Sequence, residues 1–309
     1  MSRIFDALQR TGVEQSGVEY PDVISVITEV LELPLKPEPA PVAPESSEAI
    51  LAPDLAAAFG VPSAEKVEQK PVTQELPDFP SLNLSVVASS RLVIFTEPDS
   101  LAAEKFRFLG VRLRQMQQSR TIKKILITST IPEEGKSFVA ANLAGVLARR
   151  SPKVLLIEGD LRRPTLAEHF GLGRLAGLCE WLQGDHSKVM NIYRLEGPGF
   201  WFMPAGNTPS NPLELMQSGG MSQLMGQVSN MFDWVIVDSP PLLPLADTTV
   251  WTRVTDGALL VAREGKSEKA MLQRGLEMIK KSDLLGVVLN GSSHAHQDYY
   301  QKYAPAPKK

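Results

Sequence analysis

The sequence predicts a doubly wound, mostly parallel α/β sheet, and three observations predict it. Apolar runs over 125–127, 154–157 and 235–237 read as buried strands, and each ends in polar or charged residues. Amphipathic helical patterns alternate with these runs. Further strand patterns follow near 199–204, 257–262 and 285–289, with a helix over 267–281 between the last two. In such a sheet the carboxyl ends of the strands share one edge, and ligands bind there.

The elements can be justified in order. Ser100 is placed to cap a helix running to about Gln118. Strand 124–129 leads through TIPEEGKS into a helix over 136–150, where Gly135, Lys136 and Ser137 open the helical pattern. Strand, turn and Lys-Ser at a helix start form the context that a phosphate-binding loop needs. Backbone N–H groups of that turn and helix end present partial positive charge to phosphate oxygens. Lys136 is expected to reach the β- and γ-phosphates, with the Ser137 hydroxyl on Mg²⁺. Thr130 stands where the pattern has its first glycine. Strand 153–158 ends in Glu158, Asp160 and Arg162, and strand 233–238 ends in Asp238. Lys136, Ser137, Glu158, Asp160 and Asp238 are therefore expected to converge on one ATP–Mg²⁺ site. Asn211 and Pro212 start a further helix, with proline suited to its first turn.

Composition bounds the function. The 309 residues are 43% hydrophobic, enough for a sizeable core. Cys179 is the single cysteine, which excludes a disulfide within one chain and points to a reducing compartment. It lies in the apolar run GLCEWL, where burial is expected. Four scattered histidines and no CxxC predict no zinc site. A net charge of −3 gives no overall basis for nucleic-acid binding. No run approaches the ~20 apolar residues of a membrane span, and MSRIFDALQR lacks the apolar core of a signal peptide.

Three regions are expected. Residues 1–32 carry two short helical patterns, one with Ile4, Phe5 and Leu8 and one with Val23, Ile27, Val30 and Leu31, suited to docking on a partner or on the domain. Residues 33–90, rich in Pro, Glu, Ala and Val, read as a disordered linker. Residues 91–291 read as the catalytic domain, and 292–309 as a flexible tail. Three of the five tyrosines, Tyr299, Tyr300 and Tyr303, lie in that tail, where a polar setting offers no core for them.

EGKS, LLIEGDLRRPTL, DWVIVDSPPLLPLAD and GVVLN resemble the Walker A, A′ and B motifs and a strand of the bacterial tyrosine kinases, and FMPAGNTPSNPLELM and GLCEWLQGD resemble other segments of that family. The likeness covers essentially all of 91–309 and favours the form without a fused membrane domain. It implies a P-loop fold, ATP and Mg²⁺ as cofactors, and protein-tyrosine autophosphorylation at Tyr299, Tyr300 and Tyr303. It also implies regulation of capsular or exopolysaccharide synthesis and export. The implied partners are a membrane polysaccharide co-polymerase or activator and further copies of the chain, with no nucleic acid. The implied location is the cytoplasmic face of the cell membrane, held there through the partner.

By the same resemblance, Lys136, Glu158, Asp160 and Asp238 are the catalytic residues. Glu134, Gly135, Lys136, Ser137, Phe138 and Arg162 bind the nucleotide, and Ser137, Asp160 and Asp238 serve the metal. The family position associated with the incoming hydroxyl is normally Asp and is here Glu158. Its extra methylene moves the carboxylate, and errors of about 1 Å can cost about 100-fold in rate. The family's Glu-x-x-Arg-x-x-Arg assembly motif is met by Glu104 and Arg107 but carries Gly110 at its third position, with Arg112 and Arg114 a step or two on. Two other readings share these residues: a positioning or partitioning ATPase, which would carry a second lysine where Ile131 stands, and an ATP-bound regulatory subunit with decayed transfer. Arg162 and Arg163 suit either phosphate binding or structural ion pairs.

Overall fold

A computed structural model of the chain describes residues 76–84, 91–150, 153–184, 191–217, 219–243, 246–280 and 283–292. The expected docking segment 1–32 and the tail with Tyr299, Tyr300 and Tyr303 lie outside the described residues, as does most of the expected linker.

Eight strands form one sheet: β1 (Ser81–Asn83), β2 (Lys124–Ser129), β3 (Val154–Glu158), β4 (Tyr193–Glu196), β5 (Phe200–Met203), β6 (Trp234–Asp238), β7 (Gly257–Arg263) and β8 (Leu284–Asn290). Their spatial order is β1-β4-β5-β3-β6-β2-β7-β8. Every neighbouring pair is parallel except β4 with β5. The six strands from β5 to β8 thus run one way, while β4 and β1 run against them. Helices α1 (Val93–Thr96), α2 (Leu101–Ser119), α3 (Lys136–Ala148), α4 (Leu166–His169), α5 (Leu178–Leu182), α6 (Pro212–Gln217), α7 (Gly220–Met231), α8 (Asp247–Val254) and α9 (Lys269–Met278) complete the described elements.

Strand alternation divides the core into two layers. Leu126, Leu155, Ile157, Val235 and Val237 point to one face, with Leu224, Val228 and Trp251. Ile125, Ile127, Val154, Leu156, Trp234 and Ile236 point to the other, with Leu143 and Leu147 of α3. Both faces are covered, so the central strands read as continuous apolar runs. Helix α2 starts where its cap predicts: the Ser100 hydroxyl accepts the Ala103 N–H at 3.2 Å. Ala103, Phe106, Leu109, Gly110 and Leu113 form its buried stripe.

One edge corrects the expected linker. Residues 76–84 carry β1, whose Ser81 and Asn83 register with Arg194 and Glu196 of β4. Phe79 is buried and stacks on Phe232 with ring centroids 6.1 Å apart. The strand is three residues long and follows Pro77 and Pro80, which suit the start of an edge strand and mask it in a proline-rich stretch.

Candidate active site

The carboxyl edge of β2, β3, β6 and β8 collects the expected residues. The turn Thr130–Gly135 joins β2 to α3, and the first-turn N–H groups of Lys136, Ser137 and Phe138 belong to the set that an α-helix leaves without helical acceptors. The Phe138 ring meets Phe106 edge-on at 5.6 Å, which ties that first turn to α2.

Thr130 is accommodated by two features. Its N–H donates to Glu134 Oε2 at 2.7 Å, and its hydroxyl donates to the same carboxylate at 3.0 Å. Its methyl group lies over Gly275 of α9, where a Cβ would come within 2.4 Å of it. Glu134 is fully buried and also accepts the Ile131 N–H at 3.0 Å and the Ser267 hydroxyl. Its place is therefore inside the turn, holding both limbs. Gly135 has φ +97°, and a Cβ there would lie 2.0 Å from Asn290 Nδ2. That same amide donates to the Glu134 carbonyl at 2.9 Å. Glycine is required at 135 by conformation and by space.

Lys136 Nζ lies 2.9 Å from Asp160 Oδ2 and 3.9 Å from Asp238 Oδ1, with all three side chains nearly buried. Burial opposes the lysine's charge, but Asp238 and Asp160 outweigh it and hold its pKa above the ordinary lysine value. Burial pushes Asp238 up to about 6, against the pull of Lys136 and a hydrogen bond from Ser137. Asp238 Oδ1 is buried without a hydrogen-bond partner. Thr165 Oγ1 lies 3.5 Å from Ser137 Oγ, and Asp160 Oδ1 accepts the Arg163 N–H at 3.1 Å.

This donor set fits a magnesium–nucleotide. Kinase Mg²⁺ is held by one or two carboxylates and by substrate phosphates. The orphaned Asp238 oxygen, Asp160 and the Ser137 hydroxyl are hard oxygen donors beside the phosphate turn. Among the described residues no group of three or more His, Cys, Asp or Glu could hold a metal by itself.

Glu158 sits one strand end away with a different set of contacts. Its Oε1 accepts the Leu166 N–H at 2.5 Å and its Oε2 accepts the Ala205 N–H at 3.2 Å. Burial raises its pKa, partly offset by the Ala205 and Leu166 amides. The carboxylate thus braces the start of α4 against the end of β5. Arg162 forms a bidentate pair with Asp247, Nε to Oδ2 at 2.6 Å and Nη2 to Oδ1 at 3.0 Å. Asp247 opens α8 and is buried. Sequence reasoning passed over Asp247, Ser267, Gly275 and Asn290. The polar end of the GVVLN strand was a signal for Asn290, and the acid that closes DWVIVDSPPLLPLAD was one for Asp247; Ser267 and Gly275 had none.

On α2, Glu104 and Arg107 pair at 2.6 Å on the exposed side, beside exposed Phe108 and Val111. Gly110 faces inward, where a Cβ would stand 2.6 Å from Val146 Cγ1. Arg114 Nη2 donates to the Val146 carbonyl at 3.3 Å.

No protein-family model matches the chain. It is 37% identical over 214 residues to tyrosine-protein kinase YwqD of Bacillus subtilis (strain 168), covering 68% of this chain and 90% of that protein. The chain belongs to the bacterial tyrosine-protein kinase family. Two solved structures agree. The kinase domain of Escherichia coli tyrosine kinase ETK matches with a TM-score of 0.61 and 30% identity, covering 66% of this chain and 83% of that one. The chimerical protein CapA2B2 matches with a TM-score of 0.60 and 30% identity, covering 68% and 93%. Several other curated relatives are longer, and the chain spans 26–32% of their length. Among the described residues of this family member, no helix is long and apolar enough to cross a membrane.

Proposed function

We propose that the chain is an ATP- and Mg²⁺-dependent protein-tyrosine autokinase acting on Tyr299, Tyr300 and Tyr303. We further propose that it regulates capsular or exopolysaccharide synthesis and export at the inner membrane face, with a membrane co-polymerase as activator. The observation that carries the reading is the meeting of Lys136, Asp160 and an Asp238 oxygen that accepts no hydrogen bond beside the phosphate turn, in a member of the tyrosine-kinase family.

ATP bound with Mg²⁺ supplies the transferable phosphoryl group and much of the charge neutralisation. The chain's own part is positioning and electrostatics, which dominate phosphoryl transfer. Amides of Gly135, Lys136, Ser137 and Phe138 orient phosphate oxygens, with Glu134 shaping the turn. Lys136 carries the positive charge toward them. Ser137, Asp160 and Asp238 would hold the metal, with the nucleotide's phosphates supplying further oxygens. Glu158, with both oxygens on backbone N–H groups, keeps the β3–α4 segment in place, and Arg162 does so through Asp247. A tyrosine hydroxyl has a pKa near 10, so only about one in a thousand is ionised at pH 7 and orientation matters. Strand β8 runs parallel to β7 and ends at Asn290 beside the phosphate turn. From Asn290 an extended segment reaches Tyr303 within at most about 45 Å, enough to enter a neighbouring copy's site. Copies are proposed to assemble through the outer face of α2, around Glu104, Arg107, Phe108 and Val111.

Mass spectrometry of the chain incubated with ATP–Mg²⁺ tests the reading. Phosphate on Tyr299, Tyr300 and Tyr303, absent in Lys136→Met, is the expected result. Nucleotide binding without phosphotyrosine, even with the membrane activator added, overturns it in favour of an ATP-binding regulatory subunit. The two backbone bonds on Glu158 favour that second reading.

A further inference from the structure

The phosphate turn is fastened to a part of the chain that neither the motif nor the family resemblance singled out. Ser267 lies in the link between β7 and α9. Its Oγ accepts the Arg263 N–H at 2.7 Å and donates its hydroxyl to Glu134. Glu134 in turn receives the N–H groups of Thr130 and Ile131 and the Thr130 hydroxyl. A continuous hydrogen-bonded path therefore runs from the end of β7, through one buried hydroxyl and one buried carboxylate, to both limbs of the turn. Arg263 Nη1 also donates to the Glu133 carbonyl at 3.3 Å, while the Lys266–Glu133 pair at 2.6 Å lies on the exposed side and adds little. Glu133 has φ +65°, a left-handed conformation unusual for glutamate. An outside clasp is what such a backbone requires to persist.

We propose that Ser267 is a positioning residue for nucleotide binding, acting through Glu134 to hold the Thr130–Gly135 turn in its phosphate-accepting shape. The inference rests on the nucleotide-site reading above. A turn released from its clasp spends part of its time in other shapes, and apparent affinity falls by the fraction lost. The bond to a buried carboxylate is of the strong, charge-assisted kind, so Ser267→Ala should weaken nucleotide binding about tenfold or more. Glu133 is mostly exposed, so Lys266→Met should change affinity less than about threefold.

The test is titration of the full chain with Mg²⁺ and a fluorescent ADP, with a thermal melt of every variant. Expected are about tenfold weaker binding in Ser267→Ala, recovery of most of the affinity in Ser267→Thr, and no further loss when Ser267→Ala is added to Glu134→Ala. Wild-type affinity in Ser267→Ala overturns the proposal, including the case where only its melting temperature falls. So does a loss of full size on the Glu134→Ala background. If Glu134→Ala does not fold, the Ser267→Ala result decides alone. If the unaltered chain binds no nucleotide, the site reading fails and this inference fails with it.

Discussion

The Lys136 ammonium and the Asp160 carboxylate form a 2.9 Å ion pair with 11% and 5% of their side chains exposed. The lysine of the turn is thus engaged inside the protein, where it also offsets Asp238 at 3.9 Å. The arrangement makes Lys136 a structural cation, in addition to the phosphate contact proposed for it.

Replacing it with Met leaves two acidic side chains buried near each other. Breaking a buried pair by removing one partner costs about 3–5 kcal/mol. Urea unfolding at pH 7 should therefore show Lys136→Met destabilised by about that amount. A second replacement, Asp160→Asn, should return part of the loss, because it removes one of the stranded charges. Equal stability of Lys136→Met and the unaltered chain would show that the two carboxylates do not depend on the lysine.

Asp238 gives a pH dependence with a defined sign. Its pKa is about 6 in the folded chain against an ordinary 3.8. Between those values the folded chain keeps a proton that the unfolded chain has released. Stability from this group is therefore fully present below about pH 4 and is lost as pH rises to about 6, by up to about 3 kcal/mol. Glu158, also raised by burial, slopes the same way, so the readout is a difference between the Asn variant and the unaltered chain. Unfolding free energies of Asp238→Asn and the unaltered chain, measured from pH 4 to 7, should diverge in favour of Asn as pH rises through this window. Parallel curves would contradict the buried, partly stranded state of this carboxylate.

Much of the site was legible because its chemistry sits at strand ends. Ile125–Ile127, Leu155–Ile157 and Val235–Val237 are apolar on both faces, and the acids that follow them stand out. The rest was hidden for physical reasons. Strand β1 is three residues long and follows two prolines, and β4 alternates Tyr193, Arg194, Leu195 and Glu196 over only two periods. Thr130 looked like a defect in the loop pattern until Gly275, 145 positions later, was seen to make room for it. Glu134 gave no sign that its carboxylate would turn inward: Thr130 and Ile131 are local to the turn, but Ser267 is brought to it from 133 positions away by the fold. Glu158 was read by position in a motif, whereas its contacts come from Leu166 and Ala205, which sequence spacing does not connect.

The Arg162–Asp247 pair joins the exit of β3 to the start of α8. Asp247 has 2% of its side chain exposed, while Arg162 has 36%. Truncating the arginine strands a buried carboxylate, so Arg162→Ala should cost about 2–3 kcal/mol in urea unfolding, more than an exposed pair would. Arg162→Lys should recover little, because an ammonium cannot make the two parallel bonds of a guanidinium. Replacing both partners, as in Arg162→Met with Asp247→Leu, should be milder than Arg162→Ala alone. A lysine variant as stable as the unaltered chain would show that charge alone suffices here.

Gly110 explains why the assembly motif on α2 stops after Arg107. A Cβ at this position would stand 2.6 Å from Val146 Cγ1, and Val146 is buried in α3. On an open helix surface Gly→Ala stabilises by about 1 kcal/mol. Here overpacking, typically costing about 1–3 kcal/mol, opposes that gain. Gly110→Ala should therefore be net destabilising by urea unfolding, and an arginine at 110 more so. Val146→Ala on its own opens a small cavity, yet in combination with Gly110→Ala it should relieve the overlap. The double variant should then be more stable than the two single losses added together, by about 1 kcal/mol or more. If Gly110→Ala instead stabilised the chain, α2 and α3 would not be in close contact at this position. A third arginine would then be admissible there, and its effect on the size of the oligomer would become the measurement to make. With the close contact intact, the assembly proposed through α2 would rely on Glu104, Arg107 and the exposed Phe108 and Val111 instead of an arginine at 110.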